Sequence, residues 1–80
     1  MTETHEYNHA VTDPDGGIIS CTLFWREPYA ILMLCETGWV IKMFCASKSE
    51  AEKWNKLTAY VTGFPTCIAK TRIRIAKTRQ

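Results

Sequence analysis

Residues 29–63 read YAILMLC, ETG, WVIKMFCA and SKSEAEKWNKLTAYVTG, and this stretch decides the fold. Its first two apolar runs have the length of β-strands, and the turn between them ends in Gly38. This pattern is typical of an antiparallel hairpin with a three-residue loop. The segment after Ala46 carries apolar residues at helical spacing, at Ala51, Trp54, Leu57, Thr58 and Val61. The hairpin is therefore predicted to lead directly into one amphipathic helix.

The ends of this helix are marked by the sequence. Ser47 and Glu50 have the spacing of a capping box, and Ser49 and Glu52 offer the same spacing as an alternative. Gly63 suits the position just past the last turn, and Pro65 prevents further helix. About 15 residues at 1.5 Å per residue give a helix of roughly 22 Å, which is enough to cover one face of a three-stranded sheet.

The remaining strands lie on either side of this unit. Asp13-Pro14-Asp15-Gly16-Gly17 predicts a turn, and alternation predicts strands at 18–25 and 66–76. Residues 1–11 are expected to form either a mobile tail or an edge strand. We therefore predict one α+β domain over residues 1–80: an antiparallel β-meander with one amphipathic helix packed on one face, then a C-terminal strand. The order is β-β-β-α-β, with an extra N-terminal strand as the alternative.

Alternation within the meander separates two faces. Odd-numbered residues from Ile19 to Cys45 are almost all apolar and are predicted to face the helix. The even face is partly apolar, and one helix cannot cover both faces of a sheet. We therefore expect this face to form a homodimer interface through Phe24, Leu32, Leu34, Val40 and Phe44. The alternative is that the N-terminal segment folds across it.

Composition excludes several classes of protein. With 46% hydrophobic and 22% charged residues, the chain belongs to the globular class. The start of the chain lacks the apolar stretch of a signal peptide, and no apolar run is long enough to span a bilayer. A cytoplasmic protein is expected. The four cysteines form no CxxC pair, which favours reduced thiols over a zinc site or a disulfide framework.

Charge is divided unevenly along the chain. Residues 1–40 carry six acids and one base, a net charge of −5, whereas residues 41–80 carry nine bases and two acids, a net charge of +7. Alternation in the last strand predicts a basic ladder suited to phosphates or an acidic protein, formed by Lys70, Arg72, Arg74, Lys77 and Arg79. The alternative is that these charges protect a sheet edge from unwanted pairing.

Acidic residues define a third candidate surface. In a meander, the turn containing Asp13 and Asp15 and the turn containing Glu36 fall at the same end of the sheet. Three carboxylates on loop tips could contact a basic partner.

Catalysis is not expected from this sequence. His5 and His9 lie near the N-terminal end, and most of the cysteines are predicted to face the core, so no nucleophile–base pair is indicated. The histidines are four residues apart, but they lie outside any predicted helix. No cofactor and no metal ion are therefore expected.

Two resemblances bear on function. Residues 38–54, GWVIKMFCASKSEAEKW, resemble the ββ-α part of phage integrase arm-binding domains and of a plant class of DNA-binding domains, which read DNA with the open sheet face. The predicted open face is too apolar for base edges. In its size, its single sheet-plus-helix domain and its divided charge, the chain is also similar to phage and mobile-element anti-CRISPR proteins. That similarity implies a protein-binding inhibitor that blocks a CRISPR effector complex from its target DNA. The alternative is a small nucleic-acid-binding module using the basic C-terminal strand.

Overall fold

The structure is a computed structural model that describes residues 4–79, with side chains for residues 5–75. Within this range the elements are β1 (Thr4–Thr12), β2 (Ile18–Leu23), β3 (Tyr29–Cys35), β4 (Gly38–Cys45), α1 (Lys48–Thr62), β5 (Thr66–Lys70) and β6 (Arg72–Arg79). The strands form two antiparallel sheets, a first sheet of order β2-β1-β6 and a second sheet of order β4-β3-β5. The predicted α+β class, with a strand-rich chain and a single helix, is confirmed.

The first sheet is built around the N-terminal strand. β1 lies at its centre, between β2 and β6, and the predicted turn joins β1 to β2. The Asp13 carboxylate oxygen Oδ1 accepts the backbone N–H groups of Asp15 at 2.8 Å and Gly17 at 2.9 Å. A Cβ at Gly17 would lie 2.7 Å from the other carboxylate oxygen, so a larger residue there would displace the Asp13 side chain that holds the turn. The N-terminal segment is therefore a central strand, and β2 pairs with it and not with β3.

The second sheet contains the predicted hairpin with one irregularity. Ile31 pairs with Met43, as predicted, whereas Leu32 pairs with Ile41. Lys42 is therefore the extra residue of a β-bulge on β4. Such a residue shifts the register of everything between it and the turn by one position.

The bulge exchanges the faces of residues 39–41 relative to the prediction. Cys35 pairs with Gly38, so the loop holds two residues and not three. Val40 pairs with Met33 and lies on the helix side, because cross-strand partners point to the same face. Trp39 and Ile41 lie on the opposite face for the same reason.

The two sheets meet where β1 crosses the second sheet. The ring of His9 contacts the ring of Phe44 edge-on, with 5.3 Å between centroids. His9, Val11, Ala30 and Leu32 are all buried. The N-terminal strand therefore packs across part of the face of the second sheet opposite the helix, in line with the alternative that the N-terminal segment folds across it. The molecule is elongated, 46 × 25 × 16 Å, because the sheets overlap only near this junction.

The C-terminal strand is divided between the sheets. β5 pairs with β3 in the second sheet, and β6 pairs with β1 in the first. Thr71 separates them, and its backbone N–H donates to the carbonyl of Pro28 at 2.8 Å. The single predicted strand therefore becomes two, because the chain passes from one sheet to the other at Thr71.

Helix α1 is capped as predicted. The Ser47 hydroxyl accepts the backbone N–H of Glu50 at 3.2 Å. At the other end the N–H of Gly63, in a left-handed conformation with φ 72°, donates to the carbonyl of Ala59 at 2.9 Å. The helix packs on the second sheet around the buried residues Ile31, Cys45 and Ala51, with Tyr29, Met43, Trp54 and Ile68 partly buried against them.

Candidate binding surfaces

The C-terminal half of α1 carries an exposed apolar strip. Leu57, Tyr60 and Val61 are spaced so that they follow one side of the helix, and Phe64 follows them in the chain just past the helix end. Tyr60 is 89% exposed and Val61 is 70% exposed, and the other two are also exposed. Contiguous exposed apolar side chains of this kind typically mark a protein interface. We call these four residues the helix strip.

The prediction of a fully buried helical stripe is therefore only half right. Ala51 and Thr58 are buried, whereas Leu57 and Val61 are exposed. The cause is the position of the helix, which packs mainly against β5 and β3 and leaves β4 less covered. Sequence periodicity cannot show which strands a helix covers. The sequence did contain one signal for the exposed strip. It has more apolar residues than one buried stripe needs, since Tyr60 and Phe64 lie outside the predicted stripe.

A shallow apolar groove extends the helix strip toward β4. It is lined by Lys42, Met43, Trp54, Leu57, Thr58, Val61 and Thr62. The ammonium group of Lys53 lies 5.4 Å from the centroid of the Trp54 ring, at cation–π distance. Strip and groove together form a surface with an apolar centre and basic side chains nearby, an arrangement typical of interface cores and rims.

The outer face of the first sheet forms a second surface, which is polar and basic. Arg74 pairs with Asn8, and Arg72 pairs with Ala10, so these residues share one face. Ser20 lies on the same face on β2, because it also pairs with Ala10. Both arginines are exposed. This face, and not the apolar face expected from the sequence, is the open sheet face of the described chain.

The predicted basic ladder is divided between the sheets. Lys70 ends β5 and pairs with Tyr29 in the second sheet, whereas Arg72 begins β6 in the first. The backbones of Lys77 and Arg79 continue β6, but their side chains lie outside the described residues. Arg72 and Arg74 are thus the described part of the ladder on one sheet face.

The predicted acidic end is not formed as expected. Asp13 and Asp15 lie in the turn between β1 and β2, in the first sheet, whereas Glu36 lies in the turn of the second sheet. The expectation required both turns to belong to one meander, and β2 does not pair with β3. The Asp13 carboxylate is also engaged by the N–H groups of its own turn.

The face predicted to form a homodimer is largely covered within the chain. Leu32 has no exposed surface, and Phe44 packs against His9. Val40 lies on the helix side because of the bulge. Phe24 is exposed, but it belongs to the segment that connects β2 to β3 and is not part of the second sheet. Leu34 lies beside Trp39 near the turn and is half-buried. The expectation of an uncovered face is wrong at Leu32, which is fully buried, and at Phe44, which packs against His9 of β1.

His9 is a structural residue that the sequence reading missed. Its side chain has no exposed surface, and both ring nitrogens make hydrogen bonds. The alternation of Tyr7, His9 and Val11 with Asn8 and Ala10 was the available signal for an ordered strand. Among the residues that the structure describes, no group of three or more histidine, cysteine or acidic side chains is placed to hold a metal ion.

All four cysteines are free thiols. Burial raises the pKa of the Cys45 thiol above its usual value, and the negative charges of Glu50 and Glu27 raise it further. Burial also raises the pKa of the Cys67 thiol, with a further contribution from Asp13. Both groups therefore favour the protonated form, which is the less nucleophilic one.

No model of a protein family, no curated protein and no solved structure matches this chain. Within residues 4–79, no helix has both the length and the apolar character needed to cross a membrane. The fold and its surfaces define a small α+β domain with two sheets, an exposed apolar helix strip and a basic sheet face.

Proposed function

We propose that this chain is a binding domain that docks a protein partner through the helix strip. The observation that carries this proposal is the exposure of Tyr60 and Val61 beside Leu57 on one side of α1. Full burial of one such side chain contributes roughly 1.5–3 kcal/mol. Tyrosine is also enriched among the residues that dominate binding energy at interfaces.

The specific activity that we propose is stoichiometric inhibition of a CRISPR effector complex in the cytoplasm of a host cell. The similarity of type to anti-CRISPR proteins supports it, and so does a surface suited to protein contact. Such an inhibitor acts by occupying a site, so it needs neither a cofactor nor a catalytic group of its own.

The test is binding of the full chain to purified effector complexes by biolayer interferometry, together with target-DNA binding by the effector. The double variant Tyr60→Ala/Val61→Ala should weaken binding by at least tenfold, since two exposed contact residues are removed. The matched control, Glu52→Ala/Lys56→Ala, changes two exposed residues of the same helix and should bind like the parent chain. Equal binding by both variants would remove the helix strip from the proposal. An absence of effector binding would remove the CRISPR target.

A second candidate function is nucleic-acid binding by the outer face of the first sheet. It is favoured by the placement of Arg72 and Arg74 beside Asn8 and Ser20, since arginine, amide and hydroxyl groups all donate hydrogen bonds to phosphate oxygens. The apolar face of the second sheet is largely covered, whereas the outer face of the first sheet exposes polar and basic side chains that suit contact with phosphates.

Salt dependence tests this second candidate. The logarithm of the binding constant for duplex DNA should fall linearly with the logarithm of the salt concentration. In Arg72→Ala/Arg74→Ala this slope should become shallower by about 1.8, since each duplex phosphate contact contributes about 0.9. Lys48→Ala/Lys53→Ala, which removes two exposed charges from α1, is the control of equal charge. Identical slopes for both variants would exclude the sheet face as the binding surface.

A further inference from the structure

The edge strands of the two sheets differ in how they are protected against pairing with another chain. An exposed edge presents unpaired backbone N–H and C=O groups, and natural proteins usually block it with charges, bulges or short strands. β6 carries Arg72 and Arg74, and its register shift relative to β1 leaves Ala76 as an extra residue. β4 carries Lys42 at its bulge. β5 has only five residues and ends in Lys70.

β2 carries neither a charge nor a bulge. It is the other edge of the first sheet, and it pairs with β1 without a register shift. No charged residue occurs from Gly16 to Trp25. Large apolar side chains are exposed at its two ends, Ile18 at 67%, and Phe24 at 58% with Trp25 beside it. β2 is therefore a regular, uncharged edge with exposed apolar residues at both ends.

We propose that β2 is a homodimer interface, in which β2 of one chain pairs antiparallel with β2 of a second copy across a two-fold axis. The first sheets then join into one six-stranded sheet. β2 of the second copy is a better partner for this edge than β6 or β4 of the second copy would be. β6 is basic and β4 carries a bulge, whereas β2 is uncharged and regular.

The side chains of β2 define the register. If the outer faces of the two first sheets lie on the same side of the joined sheet, even-numbered residues of β2 must face even-numbered residues of the partner's β2, and odd-numbered residues must face odd-numbered ones. The two-fold axis then passes through one residue, which faces its own copy. Centring on Cys21 places Ile18 opposite Phe24 of the partner and Ser20 opposite Thr22 of the partner. Ile19 then faces Leu23 of the partner. Each pair therefore joins side chains of one type: two exposed apolar residues, two hydroxyl residues, or two half-buried apolar residues. Such cross-strand pairs stabilise antiparallel sheets.

This register brings the two copies of Cys21 opposite each other. Facing residues of an antiparallel pair have Cα atoms about 4.5–5.5 Å apart. That distance falls within the range of about 4.4–6.8 Å that a disulfide spans. The interface is one strand wide and smaller than a standard protein interface, so dissociation is expected in the micromolar range.

The test combines mass measurement with cross-linking of the full chain. Sedimentation should show a mass rising from 9.2 kDa toward twice that value as concentration increases. Diamide should convert two Cys21 thiols to one intermolecular disulfide, taking up their two protons and two electrons as it is reduced to the hydrazine. Cys21→Ser should abolish this cross-linked dimer. Cys35→Ser, the change of another half-buried cysteine, should leave it intact.

A charge placed on the edge provides the second arm. Ser20→Lys changes an exposed side chain on β2 and should raise the dimer dissociation constant by about tenfold or more, since it adds like charges on both sides of the axis. Thr12→Lys adds the same charge to the same face on central strand β1 and should have a smaller effect. Any of three results would overturn the proposal. The first is a single-chain mass at protein concentrations up to about 1 mM, the second is a cross-link that survives Cys21→Ser, and the third is equal dimerisation of both lysine variants.

Discussion

The backbone N–H of Glu27 donates a hydrogen bond of 3.0 Å to the Nε2 atom of His9. Because Nε2 is the acceptor, the neutral ring carries its proton on Nδ1, which lies 3.0 Å from the carbonyl oxygen of Tyr7 and donates to it. The His9 side chain is fully buried against Phe44. It therefore links β1 to the segment between β2 and β3, where the chain passes from the first sheet to the second.

Replacing His9 by leucine should lower the free energy of unfolding by about 3 kcal/mol. Leucine fills a similar volume but removes both hydrogen bonds of the buried ring, the one to the Tyr7 carbonyl and the one from the Glu27 N–H, and each such loss costs about 1–3 kcal/mol. Urea unfolding followed by tryptophan fluorescence measures the change. His5→Leu, at a half-buried position on the same strand, is the control and should cost less than about 1 kcal/mol. Equal losses at both positions would contradict the linking role of His9.

Leu32→Ala should cost about 3 kcal/mol, as expected for a fully buried leucine. The diagnostic result is that this cost stays constant when protein concentration is changed about a hundredfold. A residue buried by its own chain is insensitive to concentration, whereas one buried in a dimer is not. Urea unfolding at the two concentrations distinguishes the cases, and a cost that grows with concentration would mean that a second copy covers this face.

Local signals in the sequence predicted most of the secondary structure. Ser47, Glu50 and Gly63 marked the ends of α1, because capping depends on residues adjacent in the chain. The β1–β2 turn was predicted for the same reason. The open end of the β3–β4 hairpin has the predicted register, with Ile31 opposite Met43.

Long-range features were missed because alternation is the same whichever strand lies alongside. The pattern of β2 is satisfied equally by pairing with β1 or with β3, and only the whole fold decides between them. Lys42 reads as an ordinary outward residue, although it is the bulge that exchanges the faces near the turn. Thr71 likewise continues an unbroken alternation while the strand changes sheets.

Consequently the candidate surfaces were predicted less well than the elements. The basic residues Arg72 and Arg74 do lie together on an exposed face, as their alternation indicated. The helix strip was missed, since it depends on where α1 sits over the second sheet. The uncharged character of β2 was visible in the sequence, but it had no meaning until β2 was known to be an edge.

The helix strip should be dispensable for folding. Tyr60→Ser/Val61→Thr should change the free energy of unfolding by less than about 0.5 kcal/mol, because both side chains are largely in water. Ile31→Ala, in the buried core beneath the same helix, should cost about 3–4 kcal/mol. Thermal and urea unfolding of the three proteins test the contrast. A loss above about 2 kcal/mol in the strip variant would mean that these residues belong to the core.

Stability should decrease at alkaline pH through the buried thiols. The pKa values of Cys45 and Cys67 are raised above 9.0 in the folded chain, so the unfolded chain loses these protons first as the pH rises. Between the unfolded and folded pKa values, deprotonation therefore lowers the free energy of the unfolded state relative to that of the folded state, and stability falls. Well below the ordinary thiol pKa, for example at pH 7, both states keep the protons and the thiols cause no change in stability.

The measurement is urea unfolding at pH 7 and at pH 10, in the parent chain and in Cys45→Ala/Cys67→Ala. Tyrosine and lysine also titrate in this range, so only the difference between the two proteins reports the thiols. The parent chain should lose more stability than the double variant over this interval. Parallel losses would show that the folded state does not disfavour the thiolates.

Gly63→Ala should destabilise the protein by about 1 kcal/mol through backbone conformation alone. Gly63 has φ 72°, and a Cβ built there would meet no atom within 4 Å, so no steric clash contributes. Asparagine tolerates the left-handed region better than alanine does, and Gly63→Asn should therefore recover part of the loss. Urea unfolding of the three proteins gives the order glycine, asparagine, alanine. Because the left-handed residue ends α1 by donating its N–H to Ala59, an alanine variant as stable as the parent would mean that the helix ends in another conformation.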